Sequence, residues 1–129
     1  MSSTFAAVGS ISGPPVFTEC KPERPMPLLH MHGTADTIIG YHGGGTGSFP
    51  DIPIAISEWA KRNRCPTASK PTFNNGAVSC ESYAPCADKT EVTLCTIDKG
   101  QHTWPGASDG TPDISATSAL FDFFGKYRR

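Results

Sequence analysis

The sequence predicts an α/β fold, a mainly parallel sheet flanked by helices. Two observations predict it. Short apolar, strand-like runs alternate with segments of helical period, and two side chains able to do chemistry, Asp36 and His102, each fall just beyond the C-terminal end of such a run. Strands joined through helices run parallel, and sheets of that kind bind ligands outside the carboxyl ends of their strands.

The elements follow in order. Phe5 to Ser12 is a small, apolar run stopped by Gly13-Pro14-Pro15, which suits a buried first strand. Residues 18–25 are polar and proline-rich. Pro27 to His32 reads as a second buried strand ending at Gly33. Between Ile38 and Asp51 five glycines (Gly40, Gly43, Gly44, Gly45 and Gly47) exclude regular structure and predict a loop. Ile52, Ile56, Trp59 and Ala60 then share one helical face, with Pro53 suited to the first turn and Lys61, Arg62 and Arg64 at the end, where the helix dipole favours cations. After Cys65-Pro66 comes a polar stretch, followed by an exposed strand over Ala77 to Tyr83. Glu91 to Asp98 alternates and predicts the last strand. A closing helix spans Ile114 to Tyr127, capped by Asp113, with Leu120, Phe121 and Phe124 inward. Leaving aside the exposed Ala77 to Tyr83 run, three strands and two helices make a thin sheet with exposed edges, a poor free-standing fold.

Composition narrows the partners. A net charge of −1 over 129 residues provides no electrostatic reason to bind nucleic acid. No apolar run approaches the ~18 residues that span a bilayer, so no membrane partner is expected. The N-terminus lacks the basic and apolar regions of a signal peptide, yet five cysteines (Cys20, Cys65, Cys80, Cys86 and Cys95) suggest an oxidising compartment. A chain cut from a larger secreted precursor reconciles the two, and the odd cysteine count agrees with it.

Candidate chemistry centres on His32-Gly33-Thr34-Ala35-Asp36 and Gly100-Gln101-His102-Thr103-Trp104-Pro105-Gly106. In a serine hydrolase a histidine takes the hydroxyl proton, while a carboxylate fixes its tautomer and stabilises the imidazolium. Asp36 followed by His102 has the order acid, then base. An isolated aspartate in a glycine-rich loop more often caps a turn, but strand-end placement favours the catalytic reading. His30, His32 and His42 together invite a metal, and His30 and His32, two apart on one strand, share a face. No second ligand cluster follows at a recognised spacing, so no metal is expected. No cysteine has the electropositive setting of a reactive thiol.

The segments Pro27 to Asp36 and Gly100 to Gly106, with Trp59 and Cys65 between them, resemble the feruloyl esterase and polyhydroxybutyrate-depolymerase-like branch of the α/β hydrolases. The opening Phe5 to Gly13 resembles the strand after that family's nucleophile helix, so the likeness covers nearly the whole chain. It implies the C-terminal portion of a single α/β-hydrolase domain over residues 1–129, with the nucleophile-bearing N-terminal part absent. Asp36 would be the triad acid, His102 the base, and Trp104 would border the substrate. A Cys65–Cys86 disulfide is implied, leaving Cys20, Cys80 and Cys95 unassigned. The implied activity is serine-type hydrolysis of feruloyl esters on plant polysaccharide, secreted and without a cofactor. Acetylxylan esterase and polyhydroxyalkanoate depolymerase are alternatives, and a non-catalytic fragment is the alternative of another class. The family's G-x-S-x-G elbow is missing, and with it the oxyanion hole. Gly106-Ala107-Ser108-Asp109-Gly110 matches the pattern literally but follows the histidine and leaves no strand. Ser10 and Ser12 are read as structural.

Overall fold

A computed structural model describes residues 3–13 and 21–128. The second half of the proline-rich 18–25 stretch lies inside this range, while Cys20 lies outside the described residues.

Pro27 to Gly33 is buried from end to end, and its core, β2 (Leu28–Gly33), is the middle of the parallel part of the sheet. β1 (Val8–Ile11) pairs parallel to one side of it and β5 (Val92–Ile97) parallel to the other. Beyond β5 the direction reverses. β4 (Val78–Tyr83) runs antiparallel to β5, and β3 (Lys70–Asn75) runs antiparallel to β4 and forms the edge. The order is β1-β2-β5-β4-β3.

The expected fold class is therefore corrected. Among the described residues the sheet is small and mixed, with five strands and two short helices, and is not the mainly parallel C-terminal portion of an α/β hydrolase. The cause is the hairpin β3–β4. Gly76, at φ +54, turns the chain directly back after Asn75, so no crossover helix intervenes and antiparallel pairing follows. β3 was not expected because Lys-Pro-Thr-Phe-Asn-Asn is exposed throughout and has no apolar alternation. Its Pro71 is tolerable on an edge strand, where one row of N–H groups has no ladder to join. β4 is also corrected. Val78, Cys80 and Ser82 are buried on alternate positions, so it is half-buried rather than exposed.

Two helices cover opposite faces. α1 (Ile52–Arg62) is capped by Asp51, whose Oδ1 accepts the Ile54 N–H at 2.9 Å, and ends on Lys61 and Arg62. It buries Ile52, Ala55, Ile56 and Ala60, of which Ile52, Ile56 and Ala60 cluster with Leu28 and Val92. Trp59 stays partly exposed, its indole N–H donating to the Met26 carbonyl at 2.8 Å. On the other face Leu29, Met31, Cys95 and Ile97 meet α2 (Ala116–Gly125).

α2 differs from expectation in cap and in phase. Ser115, not Asp113, accepts the first-turn N–H. Asp113 instead accepts the Ala77 N–H at 2.8 Å and so fastens the β3–β4 turn. With the helix starting at Ala116, the inward stripe is Ala116, Ala119, Leu120 and Phe123, while Phe121 is 79% exposed and Phe124 41%. Three phenylalanines within four residues leave the phase ambiguous by composition. Packing of Phe123 against Tyr127, with ring centroids 5.3 Å apart, belongs to the observed phase.

Two disulfides brace this frame. Cys65–Cys86 ties the end of α1 to the turn after β4, and Cys80–Cys95 bridges β4 and β5 at directly paired positions. In the chain-entropy view, a bridge closing 15 residues contributes about 3 kcal/mol. Replacing Cys80 and Cys95 by alanine is expected to lower the urea-unfolding free energy by about that amount. A loss under ~1 kcal/mol would mean that β4 and β5 are held chiefly by their ladder and core contacts.

Candidate functional site

The ends of β2 and β5 are stitched together by hydrogen bonds between their loops. Thr34 N–H donates to the Ile97 carbonyl, Ala35 N–H to the Gly100 carbonyl, and Lys99 N–H to Thr34 Oγ1, at 2.8–2.9 Å. Gly33 is required here. A Cβ at this position would lie 2.2 Å from the Gly100 oxygen, which is backbone and cannot rotate away. Asp36 and His102 leave this joined pair of loops.

Asp36 is buried, and its two carboxylate oxygens do different work. Oδ1 accepts the N–H groups of Ile38 and Ile39, both at 2.9 Å. Oδ2 accepts the Nδ1–H of His102 at 2.9 Å, across 66 residues of sequence. The turn-capping and histidine-pairing readings of this aspartate are thus both present in one side chain. Burial pushes its carboxyl pKa up, but the hydrogen bonds from Ile39, His102 and Ile38 outweigh that and hold it below the ordinary value. The carboxylate is ionised at neutral pH.

His102 has its other face open. Its side chain is 42% exposed, and Nε2 has no hydrogen-bond partner among the described residues. Donation from Nδ1 to a carboxylate leaves Nε2 as a free lone pair pointing away from Asp36. A histidine so held can accept a proton from a group presented at Nε2, with the resulting imidazolium stabilised by the carboxylate. Trp104 is two residues further on and 45% exposed, its indole N–H donating to Thr117 Oγ1 at 3.1 Å. Ser108 sits in an exposed turn and makes no hydrogen bond to His102. Ser12, at the end of β1, is buried with φ 51.

His30 and His32, whose strand spacing invites a metal, lie directly behind Asp36. His32 Nε2 lies 3.3 Å from Asp36 Oδ2 and 2.8 Å from the Ile39 carbonyl, and His30 Nε2 lies 3.1 Å from His32 Nδ1. The sequence signal was the four-residue spacing from His32 to Asp36 across a tight turn. Among the described residues no group of three or more His, Cys, Asp or Glu side chains is arranged to hold a metal ion. No described helix is long and apolar enough to cross a membrane.

The site is thus a buried carboxylate paired with an open imidazole at adjoining strand ends, the acid–base arrangement of proton-transfer chemistry. Comparison with known proteins relates the chain to proteins named as esterases. It is 37% identical over 91 residues to feruloyl esterase B of Piromyces equi, covering 65% of this chain and 17% of that protein. It is 42% identical over 114 residues to the bifunctional acetylxylan esterase/xylanase XynS20E of Neocallimastix patriciarum, covering 84% of this chain and 16% of that protein. The chain spans about a sixth of the length of these curated relatives. No family model matches it.

Proposed function

We propose that Asp36 and His102 are the acid and base of a serine-type carboxylic ester hydrolase, and that the parent polypeptide hydrolyses feruloyl esters of plant cell-wall polysaccharide. The observation that carries this reading is the 2.9 Å bond from His102 Nδ1 to Asp36 with the Nε2 side open. His102 Nε2 removes the hydroxyl proton of a serine as its oxygen attacks the ester carbonyl, forming the tetrahedral intermediate. The imidazolium then returns that proton to the departing alcohol, leaving an acyl-enzyme. Water repeats the sequence and releases the acid. No cofactor enters these steps.

In this reading the nucleophile and oxyanion donors belong to a part of the parent polypeptide outside these 129 residues, and no described serine is hydrogen-bonded to His102. Trp104, exposed and two residues from the base, is assigned to the border of the substrate site, where its indole face suits an aromatic acyl group or a sugar ring. Two disulfides fit a secreted, extracellular parent. The match to the acetylxylan esterase/xylanase, longer in this chain than the other, favours acetylated xylan as the second reading.

The test is hydrolysis of methyl ferulate and acetylated xylan by the parent polypeptide and by the 129-residue chain, with a fluorophosphonate probe on both. The parent is expected to cleave methyl ferulate faster and to label, and the isolated chain to do neither. Preference for acetylated xylan would move the assignment to the second reading. Labelling of the isolated chain at Ser108 would overturn the placement of the nucleophile, and an inert parent would make this a non-catalytic segment.

A further inference from the structure

Behind Asp36 lie two histidines with no part in the proton transfers above. His30 and His32 leave the same face of β2, and both are fully buried. Their hydrogen bonds determine where the protons sit. The Ile39 carbonyl can only accept, so His32 Nε2, 2.8 Å away, carries a hydrogen, and the same N–H lies 3.3 Å from Asp36 Oδ2. Between His30 Nε2 and His32 Nδ1, 3.1 Å apart, one nitrogen must donate.

If His32 Nδ1 donated, His32 would be a buried imidazolium, and His30 would be left with an Nδ1–H that has no partner. Donation from His30 Nε2 leaves instead two neutral rings and an unpartnered lone pair at His30 Nδ1. A buried orphan acceptor is the less costly of the two. Burial, followed by the charge His32 would carry, pushes the His30 pKa down to about 3. Burial likewise lowers that of His32 against the raising effects of Ile39 and Asp36.

We propose that His30 and His32 form a neutral tautomer lock for Asp36, in which His32 is a positioning residue and His30 occupies the one nitrogen where His32 could take up a proton. His32 joins the Asp36 carboxylate to the Ile39 carbonyl, so the oxygen facing His102 is tied to the loop that Oδ1 already caps. Because His32 stays neutral, the Asp36 charge serves a single imidazole, that of His102. Two further titratable groups act on His32 among the described residues: His102, whose positive charge would push the His32 pKa down, and Tyr41, 6.0 Å away between ring centroids and hydrogen-bonded through its hydroxyl to Thr96. The catalytic meaning of the lock rests on the function proposed above, while the proton positions stand by themselves.

Long-range proton–nitrogen NMR spectra of the ¹⁵N-labelled chain read each imidazole's tautomer and charge. From about pH 8 to about pH 5, His30 and His32 are expected to remain neutral Nε2–H tautomers, and the neutral His102 ring is expected in the Nδ1–H form. In His30→Leu, which removes the donor that occupies His32 Nδ1, the His32 pKa is expected to rise from its lowered value. In His32→Phe, His102 is expected to lose its single Nδ1–H form, whereas His32→Gln, whose amide N–H can reach Ile39 and Asp36, should keep it. A wild-type His32 found as an imidazolium or as the Nδ1–H tautomer overturns the lock, even where the variants do not fold. An unchanged His102 in folded His32→Phe overturns the positioning role. Failure of the esterase reading would appear separately, as a parent without ester hydrolysis whose chain still shows these tautomers.

Discussion

Asp36→Asn in the parent polypeptide is expected to lower ester-hydrolysis turnover by about 10³–10⁴-fold, or about 4–5.5 kcal/mol of barrier, with little change in fold. An asparagine keeps Oδ1, so the N–H groups of Ile38 and Ile39 retain their acceptor and the loop keeps its shape. The change is at the other atom. The Nδ2 hydrogens would face His102 Nδ1, which must then accept rather than donate. The imidazole proton moves to Nε2, where the serine proton should be received, and the imidazolium loses its counter-charge. Steady-state kinetics beside a circular dichroism spectrum measure both halves of the expectation. A folded Asp36→Asn parent within tenfold of wild type would remove Asp36 from the acid's role.

The second large effect is acid sensitivity. His30 is held neutral, its pKa pushed from the ordinary 6.5 down to about 3 by burial and by neighbouring His32. The unfolded chain therefore binds a proton that the folded chain refuses between those values. The stability His30 contributes is present above pH 6.5 and is lost as pH falls toward 3, by up to about 1.4 kcal/mol per unit. The lowered pKa of His32 acts in the same direction, and that of Asp36 adds a further loss at still lower pH. Urea unfolding of the chain at pH 7.5 and about pH 4.5 is expected to show a drop of about 2–3 kcal/mol, most of it absent in His30→Leu. A variant that is as acid-sensitive as wild type would place the burden on other groups.

Much of the site was legible because its parts are local. Pro27 to His32 is an unbroken buried run, Glu91 to Asp98 is followed by a tight turn at Gly100, and Asp36 and His102 each come directly after their strand. The parallel pairing of β1, β2 and β5 then joins those two strand ends. The His32 contact to Asp36 was harder to see, since a buried His-x-His pair reads equally as a metal ligand set until the Ile39 carbonyl supplies an acceptor.

The amino-acid pattern alone determined the buried β2 strand, the glycine loop between Ile38 and Asp51, the face of α1, and the strand-end positions of Asp36 and His102. Each rests on periodicity, glycine content or turn chemistry within a dozen residues. The direction of β4 and β3, the Cys80–Cys95 bridge, the phase of α2 and the contacts from His30 to His32 and from His32 to Asp36 were decided only by tertiary structure. An exposed edge strand carries no apolar signature, and three neighbouring phenylalanines do not say which of them faces inward. Two imidazoles acquire their protons' positions only from the acceptors that folding brings to them. The mixed sheet arises at the Gly76 turn, which sends β4 back along β5 and replaces the mainly parallel sheet that alternating strands and helices had predicted.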